Sequence, residues 1–281
     1  MSNAEETGRA CTAADWAARD AQRRALPLHL VHAWIWQPHD VPVAQDLDTQ
    51  KHWALRMLRE AEEELRGRHP ELTVSTERIS DTAAEVLLGQ AEHAQMLVLG
   101  SSGHGSIAGF LLGSLGQRVL ARANSPVVMV RAKARSAAKQ DGGEVVVGLD
   151  DLGDSAAPLL EFAFDAAATR RTVLRAVHAP SLPPLYGYGL VVGQLASNTG
   201  QAEKALSEAL KPWREKYPQV PVAHTVGLAR PSGVVLRAAA QAGLVVVGRR
   251  VHRPALGMRI GPVAHAVLHH AAAPVAVVPH D

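Results

Sequence analysis

The sequence predicts an α/β protein made of two tandem domains, each a doubly wound parallel sheet. Strand-like and helix-like segments alternate along the 281 residues, which favours parallel strands joined by right-handed helical crossovers. The layout of the first half also recurs in the second half. The predicted domains are residues 1–133 and 144–281, and the linker at 132–144 is rich in Lys, Arg, Ala, Ser and Gly.

The repeat rests on landmarks that share one nearly constant offset of 146–148 residues. The corresponding positions are Gly100 and Gly248, Gly113 and Gly261, Pro126 and Pro274, and Leu30–Ala33 and Ala176–Ala179. Such constancy indicates duplication of a unit of roughly 140 residues, which is near the usual size of a domain.

The elements of the first unit follow from hydrophobic spacing. Helices are predicted where apolar residues recur every three or four positions, and strands at short apolar runs between turn signals. In order, these are helix Ala13–Arg24, strand Leu28–Ala33, helix Thr49–Arg68, strand Leu72–Glu77, helix Thr82–Ala94, strand Met96–Leu99, helix Ile107–Ala123 and strand Val127–Val130. The charge run Glu60–Arg68 is interpreted as a solvated helix face.

The second unit repeats this order from Val145. Its first strand, Val145–Leu149, is a fully apolar run, as expected of a parallel strand that is buried on both faces.

The first unit lacks the opening strand that the repeat predicts. Moving Val145–Asp151 back by the repeat offset places it at the first residues, where no apolar run exists. An opening strand is central in this topology, so its loss leaves open edges on Leu28–Ala33 and Met96–Leu99. Either the polypeptide begins at a methionine downstream of its natural start, or another segment, such as one exchanged from a second copy, fills the position. We expect the first unit to be less stable than the second, or to be completed from outside itself.

Composition excludes several classes of protein. Hydrophobic residues make up 47% of the chain but aromatic residues only 4%, so the cores must be aliphatic. A net charge of +2 with interspersed acids and bases argues against nucleic-acid binding. The single cysteine, Cys11, cannot form an intrachain disulfide and fits a reducing, cytoplasmic compartment. No apolar run of about 18 residues predicts a membrane span, and no signal peptide is recognised.

A glycine-rich turn, GSSGHGSIAGFLLGS, occupies residues 100–114 after the strand Met96–Leu99. Glycine lets the backbone approach a ligand closely, and the N–H groups at a helix start favour phosphate. Gly100 is followed after two residues by Gly103, and after nine more by Gly113 and Ser114. This spacing resembles G-x2-G-x9-G-[S/T], the ATP-binding signature of the universal stress protein family.

The resemblance covers nearly the whole chain and is most specific at residues 96–130 and 145–179. It implies Rossmann-like units that pair through their last strands, here Val127–Val130 and Val275–Val278, as an intramolecular pseudo-dimer; a homodimer is a further expectation. It also implies a stress-response role with ATP, ADP or AMP as ligand, and Mg²⁺ accompanying the triphosphate. The implied nucleotide-binding residues are Gly100, Gly103, His104, Gly105, Ser106, Gly113, Ser114, Leu115 and Ala33.

The second unit keeps an opening strand but has a degenerate loop. Val251 stands where Gly103 stands in the first unit, and a valine disfavours positive φ. Pro262 replaces Ser114 and has no N–H to donate. We therefore expect no triphosphate bound in the same pose. The residues of this degenerate site are Gly148, Asp150, Gly248, Arg249, Arg250 and Gly261, the arginines offering partial compensation by charge.

Other motifs are weaker. Gly103–Ala108 fits G-x-G-x-x-A, but the acid expected about 20 residues later is missing. Neither a Walker A pattern nor G-x-S-x-G is present. His265 and His269 can share a helix face, but no acid or cysteine completes a metal site, so none is predicted. His32 and His178 end equivalent strands, which indicates packing or a backbone contact with a base rather than catalysis.

The predicted function is that of an adenine-nucleotide-binding stress-response regulator. The alternative is a degenerate interaction module of the same family that has lost its nucleotide and acts through its dimer surface. No catalytic residue is identified, and the sequence does not establish an enzyme. Any ATP hydrolysis would be slow and would rest on positioning alone.

Overall fold

A computed structural model describes residues 2–34, 44–101, 113–131, 142–180, 192–227, 229–251 and 260–281. The elements of the first unit are α1 (Ser2–Arg24), β1 (Leu28–Trp34), α2 (Ala44–Arg68), β2 (Val74–Ser80), α3 (Ala83–Ala91), β3 (Leu97–Ser101), α4 (Ser114–Arg122) and β4 (Val127–Arg131). Those of the second unit are β5 (Val145–Leu149), α5 (Ala157–Arg170), β6 (Leu174–His178), α6 (Val192–Lys216), β7 (Val222–Val226), α7 (Pro231–Ala238), β8 (Leu244–Arg250), α8 (Pro262–His270) and β9 (Val275–His280).

Seven strands form one sheet in the order β3-β4-β9-β8-β5-β6-β7. The five strands of the second unit are parallel to one another, with β5 at their centre, between β6 and β8. β4 of the first unit joins β9 of the second in antiparallel register, with Val128 opposite Ala276. The α/β class and the parallel sheets predicted from the sequence are confirmed.

The remaining two strands, β1 and β2, form a separate parallel pair, with Leu28 opposite Val74. In the second unit β5 links the equivalent pair, β6 and β7, to β8. No strand of the described ranges lies between β1 and β3, where the counterpart of β5 belongs. Within the described ranges, β1 and β3 are therefore each paired on one edge, with β2 and β4 respectively, as the repeat predicts.

The second unit has the larger core. Val145, Val146 and Val147 of β5 are fully buried, because helices cover both faces of a doubly wound sheet. On one face Phe164 of α5 stacks on Trp213 and Tyr217, at ring-centroid distances of 6.0 and 5.5 Å.

The detached pair β1–β2 has a much smaller core of its own. Among the side chains that the structure describes, the cluster that joins it to α1 and α2 contains four buried residues, Ala18, Leu65, Leu72 and Val74. Stability follows the apolar area that is buried, so these described contacts stabilise the pair less than the contacts of the main sheet stabilise the second unit.

Helix α1 is fastened to the second unit by buried charges. Asp20 is 1% exposed and forms ion pairs with Arg24 and with Arg170 of α5, whose side chain is 2% exposed. Arg24 also pairs with Asp165. A buried carboxylate is tolerated only when it is paired in this way. The ion pairs of this Asp20 cluster therefore hold α1 against α5.

Most predicted elements are confirmed, with shifted ends. α3 begins after Thr82, whose hydroxyl accepts a hydrogen bond from the N–H of Glu85 as an N-cap. The charged residues of the run Glu60–Arg68 lie on the solvent-facing side of α2, whereas Leu65 within the run is buried. The helix predicted from Ile107 is described only from Ser114, because residues 102–112 lie outside the described ranges. Among the helices of those ranges, none is both long and apolar enough to span a bilayer.

Candidate functional site

Two equivalent strand–turn–helix junctions carry the candidate site residues. In the first unit β3 ends at Ser101 and α4 begins at Ser114; in the second β8 ends at Arg250 and α8 begins at Pro262. Gly103, His104, Gly105 and Ser106 lie outside the described residues. The structure therefore describes the two flanks of the first loop: Gly100 on one side, and Gly113, Ser114 and Leu115 on the other.

The two helix starts have the same backbone geometry. Gly113 is the N-cap of α4 with φ −60° and ψ 159°, and Gly261 is the N-cap of α8 with φ −64° and ψ 158°. Neither helix has a side-chain hydrogen bond at its cap. The N–H groups of a first helical turn point outward and need such a partner, or an anion. The repeat is thus preserved in detail at this position.

The helix starts differ in what they can donate. The first residue of α4 is the exposed Ser114, which has a backbone N–H and a hydroxyl. The first residue of α8 is Pro262, which has neither. Proline is favoured at this position because the missing N–H needs no partner within the helix. At its first residue α4 therefore offers one backbone N–H and one hydroxyl that α8 lacks.

A cavity of about 1080 Å³ opens between β1 and β3. Leu28–His32 line one side and Met96–Gly100 the other. Gly100 thus faces the cavity, whereas the half-buried Ala33 is next to its wall on β1 and pairs with Ile79 of β2.

His32 stands at the end of β1, within the wall of this cavity. Burial, reinforced by the positive charge of Arg78, lowers the pKa of His32 below its usual value. The side chain is therefore neutral at neutral pH and offers a ring nitrogen for hydrogen bonding.

In the second unit Gly248 is covered by protein. A Cβ atom there would lie 2.5 Å from Nε2 of His280 and 2.8 Å from Cδ2 of Leu159. The glycine therefore leaves room for the ends of the His280 and Leu159 side chains. Gly148 is similarly close to the side chain of Val235, 3.1 Å from a Cβ at that position.

The side chain of Arg249 reaches from the second unit to helix α4 of the first unit. It is 5% exposed, and its guanidinium donates to the carbonyl oxygens of Ala121 (3.2 Å) and Ala123 at the end of α4. A cation at a helix C-terminus satisfies carbonyls that have no partner within the helix. The side chain predicted to compensate for a degenerate phosphate loop is thus engaged in joining the two units.

Arg250 and Asp150 form an exposed ion pair, with Nη2 and Oδ2 3.0 Å apart. They stand beside a second cavity of about 370 Å³, whose wall includes Val251, Ser155 and His280. Asp151, next in the chain, accepts hydrogen bonds from the Ser155 hydroxyl and from the N–H groups of Gly153 and Leu152. These bonds, that of Ser155 foremost, lower the pKa of Asp151 and fix the turn before α5.

The histidines outside the loops have structural partners. His178 is buried, and its Nδ1 donates to the carbonyl oxygen of Leu149 at 2.9 Å, which confirms the predicted strand-end packing. His265 and His269 share a face of α8, with ring centroids 4.3 Å apart. In the part of the chain that the structure describes, no group of three His, Cys, Asp or Glu residues is arranged to hold a metal ion.

Sequence reasoning missed two structural sites that join the units. Arg131, at the end of β4, donates to the carbonyl oxygens of Leu268 (3.3 Å) and His269 (2.6 Å) at the end of α8. The Asp20 cluster was missed as well. A signal for the latter existed, since Asp20 and Arg24 continue the apolar face of Ala13, Trp16 and Ala17 at helical spacing.

Two tandem α/β units, joined edge to edge through β4 and β9 and each with a glycine N-cap at the corresponding helix, define a class of duplicated α/β proteins. Comparison with known proteins identifies the class: the model of the universal stress protein family matches the chain twice, at residues 7–131 and 143–279. The chain belongs to the universal stress protein family.

Individual relatives agree with this assignment. The universal stress protein Rv2005c of Mycobacterium tuberculosis is 33% identical over 283 residues, covering 94% of this chain and 91% of the relative. Another, Rv2623 of the same organism, is 32% identical over 285 residues, covering 97% and 93%. The crystal structure of a universal stress protein from Archaeoglobus fulgidus is similar in fold, with a TM-score of 0.69 and 14% identity over 99% of this chain and 95% of that one.

Proposed function

We propose that the chain is a stress-response protein that binds one adenine nucleotide, ATP, ADP or AMP, in its first unit. The observation that carries the proposal is the contrast between Ser114 and Pro262 at helix starts of equal geometry. Only the first unit also has the full family spacing from Gly100 to Ser114. Its donors can satisfy phosphate oxygens that the second unit cannot.

In this proposal the phosphates lie on the backbone of residues 103–106 and on Ser114, and Gly113 and Leu115 shape the helix start. Gly100 and Ala33 border the adenosine at the ends of β3 and β1. A triphosphate would bring Mg²⁺ with it. The chain's own groups would orient the phosphates without a general base, so hydrolysis would be slow at most.

The proposed organisation is two domains, residues 1–133 and 144–281, that form an intramolecular pseudo-dimer through β4 and β9. We place the protein in the cytoplasm, where adenine nucleotides are abundant.

A thermal shift measurement tests nucleotide binding. A ligand that binds only the folded state at a hundred times its Kd adds about 2.7 kcal/mol of stability. Millimolar ATP, ADP or AMP should raise the melting temperature, and Gly103→Val, which copies the second unit, should abolish the rise. Absence of any shift with all three nucleotides would refute the proposal.

A second candidate function is that of an interaction module that acts as a homodimer without nucleotide. It is favoured by the second unit, where His280 covers Gly248 and Arg249 is engaged by α4. Sedimentation of the nucleotide-free protein separates the two: a stable dimer without any nucleotide response supports the module, and a monomer that binds nucleotide excludes it.

A further inference from the structure

The C-terminal end of α4 is held by a side chain of the other unit. The helix ends at Ala123, which has φ −61° and ψ 137° rather than the left-handed conformation that closes many helices. The last carbonyls of a helix have no partner within it. Here the carbonyl oxygens of Ala121 and Ala123 accept hydrogen bonds from the guanidinium of Arg249, which is 5% exposed. The second unit therefore fixes where α4 ends.

The opposite end of α4 carries donors of the proposed phosphate site. Ser114 is the first residue of this nine-residue helix, so about 13 Å separate it from the end that Arg249 holds. Between the two ends Val119 and Leu120 are 0% and 1% exposed. A short helix that is packed in this way moves as one body. A shift of its C-terminal end therefore also displaces the donors of Ser114.

The charges at the two ends of α4 act in the same direction. The aligned peptide groups of a helix favour a cation at its C-terminus and an anion at its N-terminus. Arg249 supplies the cation, and a phosphate on Ser114 would supply the anion. Loss of the guanidinium leaves two carbonyl oxygens without this donor, so the last turn of α4 loosens.

The second unit contains a matched contact without the phosphate donors. Arg131 donates to the carbonyl oxygens of Leu268 and His269 at the end of α8, at 3.3 and 2.6 Å. That helix starts with Pro262, which has neither N–H nor hydroxyl. The two arginines therefore make the same kind of contact to helices that differ at their starts.

The contact made by Arg249 is also not a general feature of the repeat. The offset that relates Gly100 to Gly248 places Ser101 at the position of Arg249. A long cationic side chain follows the strand-end glycine in the second unit alone. The residue that reaches α4 thus distinguishes the second unit from the first.

We infer that Arg249 is a positioning residue for the nucleotide site of the first unit. It holds α4 so that the N–H and hydroxyl of Ser114 are directed at the phosphates, and it does not touch the nucleotide itself. Binding groups act fully only when they are held within about 0.5 Å of their productive position. The inference rests on the proposed function and adds the dependence of that site on a residue of the other unit.

Isothermal titration calorimetry with ATP compares Arg249→Ala with Arg131→Ala, each at a temperature at which circular dichroism shows it to be folded. Arg249→Ala should raise the Kd about tenfold, because the donors of Ser114 are displaced. Arg131→Ala should bind ATP as the parent does, because α8 lacks these donors. Arg249→Lys, which keeps the cation, should recover part of the affinity.

The outcomes separate the two proposals. A parent protein that binds no ATP would refute the proposed function, and the inference with it. A parent protein that binds ATP, with the same Kd for the two alanine variants, would overturn the inference alone.

A double-mutant cycle tests whether Arg249 acts through Ser114. Ser114→Ala removes one phosphate donor and should weaken ATP binding by itself. In that background Arg249→Ala should raise the Kd by a smaller factor than it does in the parent, because residues that act through each other are not additive. Factors that multiply in the double variant would contradict positioning through α4.

Hydrogen exchange tests the coupling without a substitution. The amides of Ala123 and Ala271 lie at equivalent ends of α4 and α8, bonded to the carbonyl oxygens of Val119 and Val267 at 2.8 and 2.9 Å. Saturating ATP should slow exchange at Ala123 and leave Ala271 unchanged. An Ala123 amide that exchanges at the same rate with and without bound ATP would show that the two ends of α4 are not coupled, which overturns the inference.

Discussion

The guanidinium of Arg249 in β8 donates to the carbonyl oxygen of Ala123, at the end of helix α4 in the other unit. Arg131 makes the reciprocal contact, from β4 to the carbonyl oxygens of Leu268 and His269 at the end of α8. Each unit therefore caps a helix of its partner. Together with the antiparallel pair of β4 and β9, these bonds fix how the two halves of the chain meet.

Loss of the Arg249 cap should destabilise the protein. Hydrogen bonds from a charged donor contribute about 1.5–3 kcal/mol, so Arg249→Ala should lower the free energy of unfolding by that amount. The control is Arg250→Ala, which removes only an exposed ion pair to Asp150 and should cost about 0–1 kcal/mol. Urea denaturation measures both. Equal costs would mean that the buried guanidinium does not join the units.

The buried charge of Asp20 should contribute more to the free energy of unfolding than Arg249 does. Asp20→Asn removes the negative partner of Arg170 and Arg24, and breaking a buried ion pair costs about 3–5 kcal/mol. Glu85→Gln, which disrupts the exposed pair with Arg122, should cost about 0–1 kcal/mol. Both values come from the same denaturation measurement. A loss at Asp20 as small as that at Glu85 would show that α1 is held to α5 mainly by apolar contacts.

Gly248 is the counterpart of Gly100, and in the second unit we expect it to be required for packing. Gly248→Ala should destabilise the protein by about 1–3 kcal/mol, because the new Cβ collides with His280 and Leu159. His280→Ala in the same chain should recover part of this loss. Gly89→Ala, in α3 with no atom near the new methyl group, should instead stabilise by about 0.5–1 kcal/mol. Differential scanning calorimetry of the variants measures these changes in stability. If Gly248→Ala leaves the stability unchanged, Gly248 is not required for packing.

Two histidines should make stability depend on pH. Burial, with help from Arg78 at His32 and from Arg250 at His280, lowers the pKa of both side chains in the folded state. The unfolded chain then binds more protons than the folded one below about pH 6.5. The stability that the two neutral histidine side chains contribute is present above that pH and is lost as the pH falls through it.

The melting temperature should therefore decrease between pH 7.5 and pH 5. The double variant His32→Gln, His280→Gln should show a shallower decrease over this range, and His224→Gln, which removes an exposed histidine, serves as the control. If the double variant has the same pH profile as the parent, these two histidines do not cause the dependence.

The fold could be predicted from the sequence where a pattern is local or repeated. The aliphatic run Val145–Leu149 predicts a strand buried on both faces, which is confirmed. Running the repeat backwards predicts the position beside β1 and β3 that no strand of the described ranges fills. Helix ends were less accurate: α2 begins at Ala44, before the predicted Thr49, because a helix can extend past its apolar face wherever no breaker residue intervenes.

Contacts between the units could not be predicted in the same way. Arg249 was interpreted as a phosphate ligand, because its neighbours in sequence belong to the loop. Its actual partner, α4, is more than a hundred residues away and comes close only through the assembled sheet. Arg170 likewise meets Asp20 only when α5 packs on α1. Long-range pairing of this kind leaves no periodic signal in one sequence.

The most direct test of the account is the number of ATP molecules bound by the full chain, measured by isothermal titration calorimetry. The account predicts one site per chain, in the first unit. Ser114→Pro copies the second unit, is compatible with a first helical position, and should abolish binding without loss of fold. The reverse change, Pro262→Ser, should leave the first site intact. Two sites in the parent protein, or undiminished binding by Ser114→Pro, would contradict the account.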